Sequence, residues 1–185
     1  MRSLVFLFSG KEVMKKFFLT VLCIQLMVPA VSATETKFYL SEARKAAQTG
    51  QIDFAFMNYR SLLREQPESS DKLQALFAMG EYYFLQTDFL QAELFFKEYL
   101  QGSRDPNGCL FAKFYLWKMA GAGHDKYLTS QLVKELKMPK AHTFIFRDSE
   151  EYIYKSPLNR KHLAVYFIDK IEFYVEGNLL AQVSY

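Results

Sequence analysis

The sequence has few of the residues from which disulfide frameworks and metal sites are built. It contains two cysteines and three histidines in 185 residues. Cys23 lies in an apolar N-terminal stretch that we expect the chain to lose, so only Cys109 would remain and no intrachain disulfide could form. None of His124, His142 and His162 is spaced from Cys, Asp or Glu as zinc ligands are. We therefore predict no metal site, and we interpret Cys109 as a small buried hydrophobic residue.

The sequence also lacks the common catalytic motifs. It has no Gly-rich phosphate loop, no nucleophile elbow and no Walker lysine. The carboxylates Asp148, Glu150 and Glu151 fall between two predicted strands, where a solvated turn is expected. The basic cluster at residues 160–162 is too short to indicate nucleic-acid binding. We predict that the protein is not an enzyme, uses no cofactor and does not bind nucleic acid.

The N-terminus is typical of an export signal. Met14-Lys15-Lys16 forms a short basic start, residues 17–28 are mostly apolar, and residues 29–33 are small. This pattern predicts a signal peptide over residues 1–33 that is cleaved after Ala33, with Met14 as an alternative start that leaves out residues 1–13. The alternative is a retained anchor, although the apolar run is short for a bilayer. We predict a periplasmic or otherwise exported protein.

Loss of this segment removes the apparent basicity of the chain. The formal net charge is +3, from 23 basic and 20 acidic residues. Residues 1–33 hold four of the basic residues and one of the acidic ones, so nineteen of each remain. A net charge of zero gives no support for binding to nucleic acid or to an anionic membrane surface.

The remaining chain has the composition of a folded domain. Half of the full sequence is apolar, and its aromatic residues include eighteen Phe and twelve Tyr. From Lys37 to about Leu136 the apolar residues recur at helical spacing. Breaks suited to helical hairpins occur at Gly50, at residues 67–71, at residues 87–88 and at residues 102–108.

Two segments of this helical region resemble each other at a fixed interval. Ala55 and Ala92 are 37 residues apart, and so are Tyr59 and Phe96. A period of 20–50 residues indicates stacked units, each of which cannot bury its apolar face alone. Arrays of this kind commonly bind other proteins.

These residues resemble the tetratricopeptide repeat, a helix–turn–helix unit of 34 residues, over residues 36–139. Units that begin near Thr36, Leu73 and Cys109 align its characteristic positions, although in the third unit Leu116 and Leu128 stand where small residues are expected. The aligned positions are the small residues Ala43 and Gly80, the turn residues Gly50, Thr87 and Gly123, the small residues Ala55 and Ala92, the large residues Tyr59, Phe96 and Leu132, and the closing proline Pro67, which Pro106 and Pro139 nearly match.

The resemblance implies a concave groove that holds a peptide, lined by the first helix of each unit. Aromatic anchors beside mixed charges suit peptide recognition. For Phe77, Phe84 and Trp117 the alternative is core packing against the C-terminal segment. The groove residues that the resemblance implies are Lys37, Leu40, Arg44, Phe77, Glu81, Phe84, Lys113, Trp117 and Ala120.

Residues 140–185 are rich in aromatic and β-branched residues and predict a small antiparallel sheet. Glu176-Gly177-Asn178 separates two alternating runs, which is a hairpin signal. Ile171, Phe173 and Val175 would share one face of the first strand. Leu179, Ala181, Val183 and Tyr185 would share one face of the second. A helix over residues 157–176, capped by Ser156 and with Pro157 in its first turn, is the alternative.

The sequence therefore predicts an α+β fold that is mostly α. Two to three tetratricopeptide-like hairpins over residues 34–139 would precede a β-rich segment over residues 140–185. The expected function is a non-enzymatic adaptor or assembly factor of the bacterial cell envelope that binds a protein or peptide, with a membrane-associated complex as one setting. The alternatives are a self-associating structural component, and a carbohydrate-binding accessory that uses Tyr152, Tyr154 and Tyr174.

Overall fold

A computed structural model of the chain describes residues 35–65, 69–137 and 149–184. The predicted signal peptide, residues 138–148 with Pro139, Asp148 and the start of the predicted β-rich segment, and also Pro67 and Tyr185, lie outside these ranges. In the described part, six helices precede a four-stranded antiparallel sheet, which confirms the predicted α+β, mostly α class. No helix in these ranges has the length and apolar content needed to cross a bilayer.

The helices form three consecutive hairpins and the strands follow in chain order. The bounds are α1 at 35–48, α2 at Ile52–Arg64, α3 at Ser69–Leu85, α4 at Phe89–Gly102, α5 at Pro106–Ala122 and α6 at Lys126–Leu136, then β1 at Glu150–Lys155, β2 at Lys161–Tyr166, β3 at Lys170–Val175 and β4 at Asn178–Ser184.

The turns within the three hairpins have the same conformation. Gly50, Thr87 and His124 lie in the left-handed region, with φ of 75°, 60° and 59°. The next residue in each turn donates its N–H to a carbonyl five residues back, at 2.9–3.0 Å, as in the Schellman motif. These positions are 37 residues apart in both intervals. The predicted turn positions Gly50 and Thr87 are confirmed, but the third is His124 and not Gly123.

Aspartates begin three of the helices. The side chains of Asp88, Asp105 and Asp125 accept hydrogen bonds from backbone N–H groups in the first turns of α4, α5 and α6. Each bond satisfies a donor that the helix itself leaves unpaired. Pro106 follows its cap as the first residue of α5, where its missing N–H is not needed.

Small residues allow the helices to pack closely, as the sequence predicted. Ala43, Ala55 and Ala92 are fully buried. A Cβ atom on Gly80 would lie 3.0 Å from ring atoms of Phe96, so the ring packs directly on the backbone of α3. In the third hairpin Leu116 is also buried, so a larger residue fills the equivalent space there.

The C-terminal segment forms an antiparallel meander in the order β1-β2-β3-β4. Glu176 and Gly177, with φ of 53° and 78°, form the tight turn between β3 and β4. The predicted hairpin is therefore confirmed, and the alternative helix over residues 157–176 is wrong. Ile171, Phe173 and Val175 share the buried face of β3, as predicted.

Two details of the sheet differ from the prediction. A bulge pairs Phe173 with Ala181 but Tyr174 with Leu179, so Leu180 is an extra residue. The bulge turns Leu179 away from the core, and this residue does not share a face with Val183. Glu150 and Glu151 begin β1 and do not form the expected solvated turn.

Helix α5 packs against the inner face of the sheet and reaches both of its edges. Phe114 stacks on Phe173 with ring centroids 4.2 Å apart. Near the start of α5, Asn107 donates a hydrogen bond to the Ile153 carbonyl of β1, and farther along Lys118 donates one to the Leu180 carbonyl of β4. These bonds occupy backbone acceptors on both edge strands, which would otherwise be open to pairing.

Candidate functional site

The inner side of the helical hairpins, where the resemblance implied a peptide groove, is occupied by the chain's own C-terminal segment. Leu40, Phe77 and Glu81 are buried. Phe77 contacts Tyr154 of β1, with ring centroids 4.9 Å apart. Leu158, from the loop between β1 and β2, is buried in the same apolar cluster as Leu40. The expectation that these three groove residues face a partner is therefore wrong for this conformation, because the sheet covers them.

The other predicted groove residues of α3 and α5 do not form a free surface either. Phe84 and Trp117 are half-buried and pack against the main core, as the alternative interpretation had it. Lys113 pairs with Glu135 of α6 at 2.9 Å. The buried indole N–H of Trp117 has no hydrogen-bond partner among the described residues. Ala120 is buried.

A cluster of ionisable side chains joins the helices to the sheet. Glu81 of α3 lies 3.1 Å from His162 of β2 and 3.1 Å from Arg160. Tyr115 of α5 donates a hydrogen bond to the same Glu81 oxygen, and its hydroxyl also lies 2.8 Å from the His162 Nε2. The other ring nitrogen of His162 faces the Arg160 carbonyl at 3.1 Å.

The charge of this cluster is compensated. Burial by itself would raise the pKa of the Glu81 carboxyl, but His162 and Arg160 outweigh it and hold that pKa below its ordinary value of 4.5. Burial and the adjacent Glu81 raise the pKa of the Tyr115 hydroxyl well above 10. A carboxylate beside a histidine resembles a general acid–base pair, but both side chains are closed to solvent. No substrate could reach them, so we assign the cluster a structural role.

An accessible concavity of about 570 Å³, which we call the cleft, has a lining of mixed polar and apolar residues. It lies between α1, the first turn of α3, the loop between α4 and α5, and the loop between β1 and β2. It therefore forms where the sheet meets the first two hairpins. Its lining residues are Arg44, Gln48, Tyr59, Ser70, Leu73, Gln74, Tyr99, Ser103, Arg104, Asp105, Tyr154, Lys155, Ser156, Pro157 and Asn159.

Three tyrosines form the aromatic part of the cleft. The Tyr59 hydroxyl donates a hydrogen bond to the Pro157 carbonyl at 3.1 Å. Burial raises the pKa of Tyr59 to about 12, against the opposing effect of Arg44. Burial likewise raises the pKa values of Tyr99 and Tyr154. All three hydroxyls are thus neutral at physiological pH and keep their hydrogen-bonding capacity.

The rim of the cleft is basic. Arg44, Arg104 and Lys155 are exposed. Arg44 is held by the Gln74 side chain, through bonds of 2.7 and 3.3 Å. Within the described ranges no carboxylate lies within ion-pair distance of these three cations. The single acidic residue of the lining, Asp105, caps α5.

A second, smaller concavity of about 210 Å³ lies between α5, the end of α6 and the sheet. Cys109 lines it and is half-buried, not fully buried as expected. Its sulfur lies 3.7 Å from the Ser103 carbonyl. Over residues 35–65, 69–137 and 149–184, no group of three or more His, Cys, Asp or Glu side chains is arranged to hold a metal ion.

The sequence identified little of the cleft. Of the predicted groove residues, only Arg44 lines it, and Lys37 is exposed elsewhere on α1. Tyr99 and Arg104 were not identified, and Tyr154 was named only as a candidate for carbohydrate binding. These residues come from segments that only the docking of the sheet brings together. A comparison of the chain with protein-family models, curated proteins and solved structures found no match.

Proposed function

We propose that this protein is a non-enzymatic adaptor or assembly factor that holds a segment of another polypeptide in the cleft. The observation that carries the proposal is the combination of an open concavity and a rim of three exposed cations for which the described part of the chain provides no carboxylate partner. Tyr59 and Tyr99 are buried beneath this rim, and Tyr154 is half-buried.

The charge of the rim indicates the character of the segment. Among the described lining residues, Arg44, Arg104 and Lys155 outnumber the one acid, Asp105, so a negatively charged ligand is favoured. Guanidinium groups bind carboxylates in a bidentate geometry, which gives direction as well as attraction. The side-chain amides of Gln48 and Asn159, which also line the cleft, can bind a peptide backbone. The proposed partner is therefore an acidic stretch of polypeptide.

The resemblance to tetratricopeptide repeats and the predicted export signal support a setting in the bacterial cell envelope. The proposed binding site differs from the one that the resemblance implied, since it lies beside the docked sheet and not along the inner faces of the helices. A carbohydrate-binding role has less support: Tyr152 and Tyr154 pack against the main core, and the Tyr174 hydroxyl is bonded to Glu172.

Site-specific photo-crosslinking in intact cells tests the proposal. A photoreactive residue at Gln48, on the cleft rim, should form an adduct with one polypeptide, and mass spectrometry should place the adduct in an acidic segment. The same residue at Gln131, exposed on α6, is the matched control and should not form that adduct. The double variant Arg44→Glu, Arg104→Glu should reduce the yield at Gln48 at least tenfold.

The control for general surface charge is Arg60→Glu with Arg64→Glu, which changes two exposed cations of α2 outside the cleft. This variant should leave the yield unchanged. Equal adducts from Gln48 and Gln131, or an adduct that maps to a neutral or basic segment, would contradict the proposal. Far-UV circular dichroism of both double variants establishes that each is folded.

A further inference from the structure

The outer face of the sheet, opposite α5, carries a continuous apolar row. The strand register places Ile153, Leu163, Tyr174 and Leu179 side by side across all four strands. Ile153 and Leu179, at the two ends, are 53% and 54% exposed. In a sheet that is covered on one side, the residues on the open face are usually polar. An apolar row on that face therefore indicates a contact surface. We call it the outer row.

On β1, charged residues flank the outer row in a self-complementary order: the outward residues are Glu151, Ile153 and Lys155, all exposed. The cross-strand neighbour of Lys155 is Lys161, whose backbone N–H donates a hydrogen bond to the Glu176 carboxylate. Among the described residues, no ion pair compensates Glu151 or Lys155.

We propose that the outer face of the sheet binds a second copy of this chain and forms a two-fold symmetric dimer. A two-fold axis parallel to the outer row would place Ile153 against its own counterpart. The same rotation reverses the strand direction, so Glu151 of each copy meets Lys155 of the other. Both charges and the exposed apolar row are then satisfied by one symmetry operation.

The size of the face sets the strength of the dimer. Four strands about 4.8 Å apart and six residues long give a face of roughly 14 by 20 Å. Two such faces give roughly 560 Å² in total, below the roughly 1,000 Å² of a stable specific interface, so the dimer should be transient, with a dissociation constant weaker than about 10 μM. The contact is isologous and closes after two copies, so it does not build a filament. The dimer and the proposed function share Lys155, which lies on the cleft rim, whereas Arg44 and Arg104 of the rim lie outside the outer face.

Sedimentation equilibrium of the purified protein over a wide concentration range tests the dimer. The wild type should fit a monomer–dimer equilibrium. Ile153→Glu should weaken the dimer at least tenfold, because it places two like charges at the symmetry axis. Leu90→Glu, on the outer side of α4 and 70% exposed in the protein, is the matched control and should change nothing.

A charge-swap experiment tests the relative orientation of the two copies in the dimer. Glu151→Lys and Lys155→Glu should each weaken the dimer, because every swapped side chain would meet a like charge. An equimolar mixture of the two variants should restore it, since both pairs are then complementary. Because Lys155 also lies on the cleft rim, the mass of the assembly is measured without any added peptide, so that binding in the cleft does not affect the result.

Three results would overturn the proposal. One is a wild-type protein that stays monomeric at every concentration, which would leave the face to another part of the chain or to a different protein. Another is a dimer that Ile153→Glu does not weaken. The third is a mixture of the charge variants that fails to associate. Because the swap variants change only exposed side chains, they keep the test decisive if Ile153→Glu does not fold.

Discussion

At the scale of single residues, the fold depends most on polar groups that have been taken out of water. Glu81 and His162 are completely buried and Arg160 is largely so, yet they are mutually paired. A charge removed from water is tolerated only when its partners remain. The cluster therefore specifies one docking position of the sheet, since any shift would leave a carboxylate unpaired.

The first prediction concerns Glu81. Glu81→Gln should lower the free energy of unfolding by about 3 kcal/mol at neutral pH, because the Arg160 guanidinium loses its buried counter-charge. Urea denaturation measures the change. The control is Glu93→Gln, which removes an exposed partner of Lys97 and should cost less than about 1 kcal/mol. An equally small cost for Glu81→Gln would contradict the structural role of the cluster.

The difference in stability between the wild type and Glu81→Gln should depend on pH. The folded state holds the pKa of Glu81 below its ordinary value of 4.5, so the unfolded chain binds the proton more readily. The contribution of Glu81 is therefore complete above pH 4.5 and is lost as the pH falls through the lowered pKa. The stability difference between wild type and Glu81→Gln should shrink over that range. A difference that stays constant down to pH 3 would contradict the assignment.

The second prediction concerns Gly108 in α5. A Cβ at this position would lie 2.1 Å from the Tyr99 hydroxyl and 2.7 Å from the Asp105 carboxylate. Gly108→Ala should therefore destabilise the protein by about 1–3 kcal/mol through overpacking. Gly121→Ala in the same helix meets no atom within 4 Å and should be neutral or stabilising by up to about 1 kcal/mol.

The cause can be isolated by removing the Tyr99 hydroxyl. In the background of Tyr99→Phe, Gly108→Ala should cost less than it does in the wild type, and a double-mutant cycle from thermal unfolding gives the coupling. Additive costs would mean that the clash with Tyr99 is not the source of the effect.

At the scale of elements, the same turn conformation occurs in all three helical hairpins. Each hairpin turns through a residue in the left-handed region, at Gly50, Thr87 and His124. A side chain at this conformation costs about 1 kcal/mol relative to glycine. Only the first hairpin uses glycine there, so the other two retain strain that a substitution could relieve.

The third prediction follows from this recurrence. His124→Gly should stabilise the protein by up to about 1 kcal/mol, and Gly50→Ala should destabilise it by about the same amount. His124→Ala is the control, since it removes the imidazole and keeps the unfavourable backbone conformation. Thermal unfolding measures all three. A gain from His124→Ala equal to that from His124→Gly would place the strain in the side chain and contradict the argument.

At the scale of the whole molecule, helices and sheet share one core. The main apolar cluster includes Phe77 of α3, Phe114 of α5 and Phe173 of β3. Neither layer covers its apolar face alone, so the hairpins and the sheet should unfold together.

The fourth prediction tests this cooperativity through Phe114, which stacks on Phe173. Phe114→Ala should cost about 3–5 kcal/mol. The fluorescence of Trp117, the single tryptophan, and far-UV circular dichroism should shift to the same lower urea midpoint. Phe54→Ala, at a position that is 58% exposed, should cost less than about 0.5 kcal/mol. Separate midpoints for the two signals would show that the sheet leaves the helices independently.

Local patterns in the sequence were enough to predict the elements. Helical spacing, the breaks at Gly50 and Thr87, and the glycine turn at residues 176–177 depend on residues close in the chain. The predicted hairpins and the order of helices before strands are therefore confirmed. The predicted turn at Gly123 failed by one residue because Gly123 and His124 both fit a helix end, and only the hydrogen-bond geometry selects the left-handed one.

What the sequence by itself determined is thus the local structure: hairpins, capped helices and alternating strands, each specified by residues a few positions apart. Only the tertiary structure decided which surfaces remain free. The predicted groove residues Phe77 and Glu81 became interior because a segment some eighty residues later packs over them. The cleft arises from the same docking, with Arg44, Tyr99 and Tyr154 brought together from distant parts of the chain. Burial depends on how the layers pack together. The periodicity of one segment shows which face is apolar, but it does not show which other segment will cover that face.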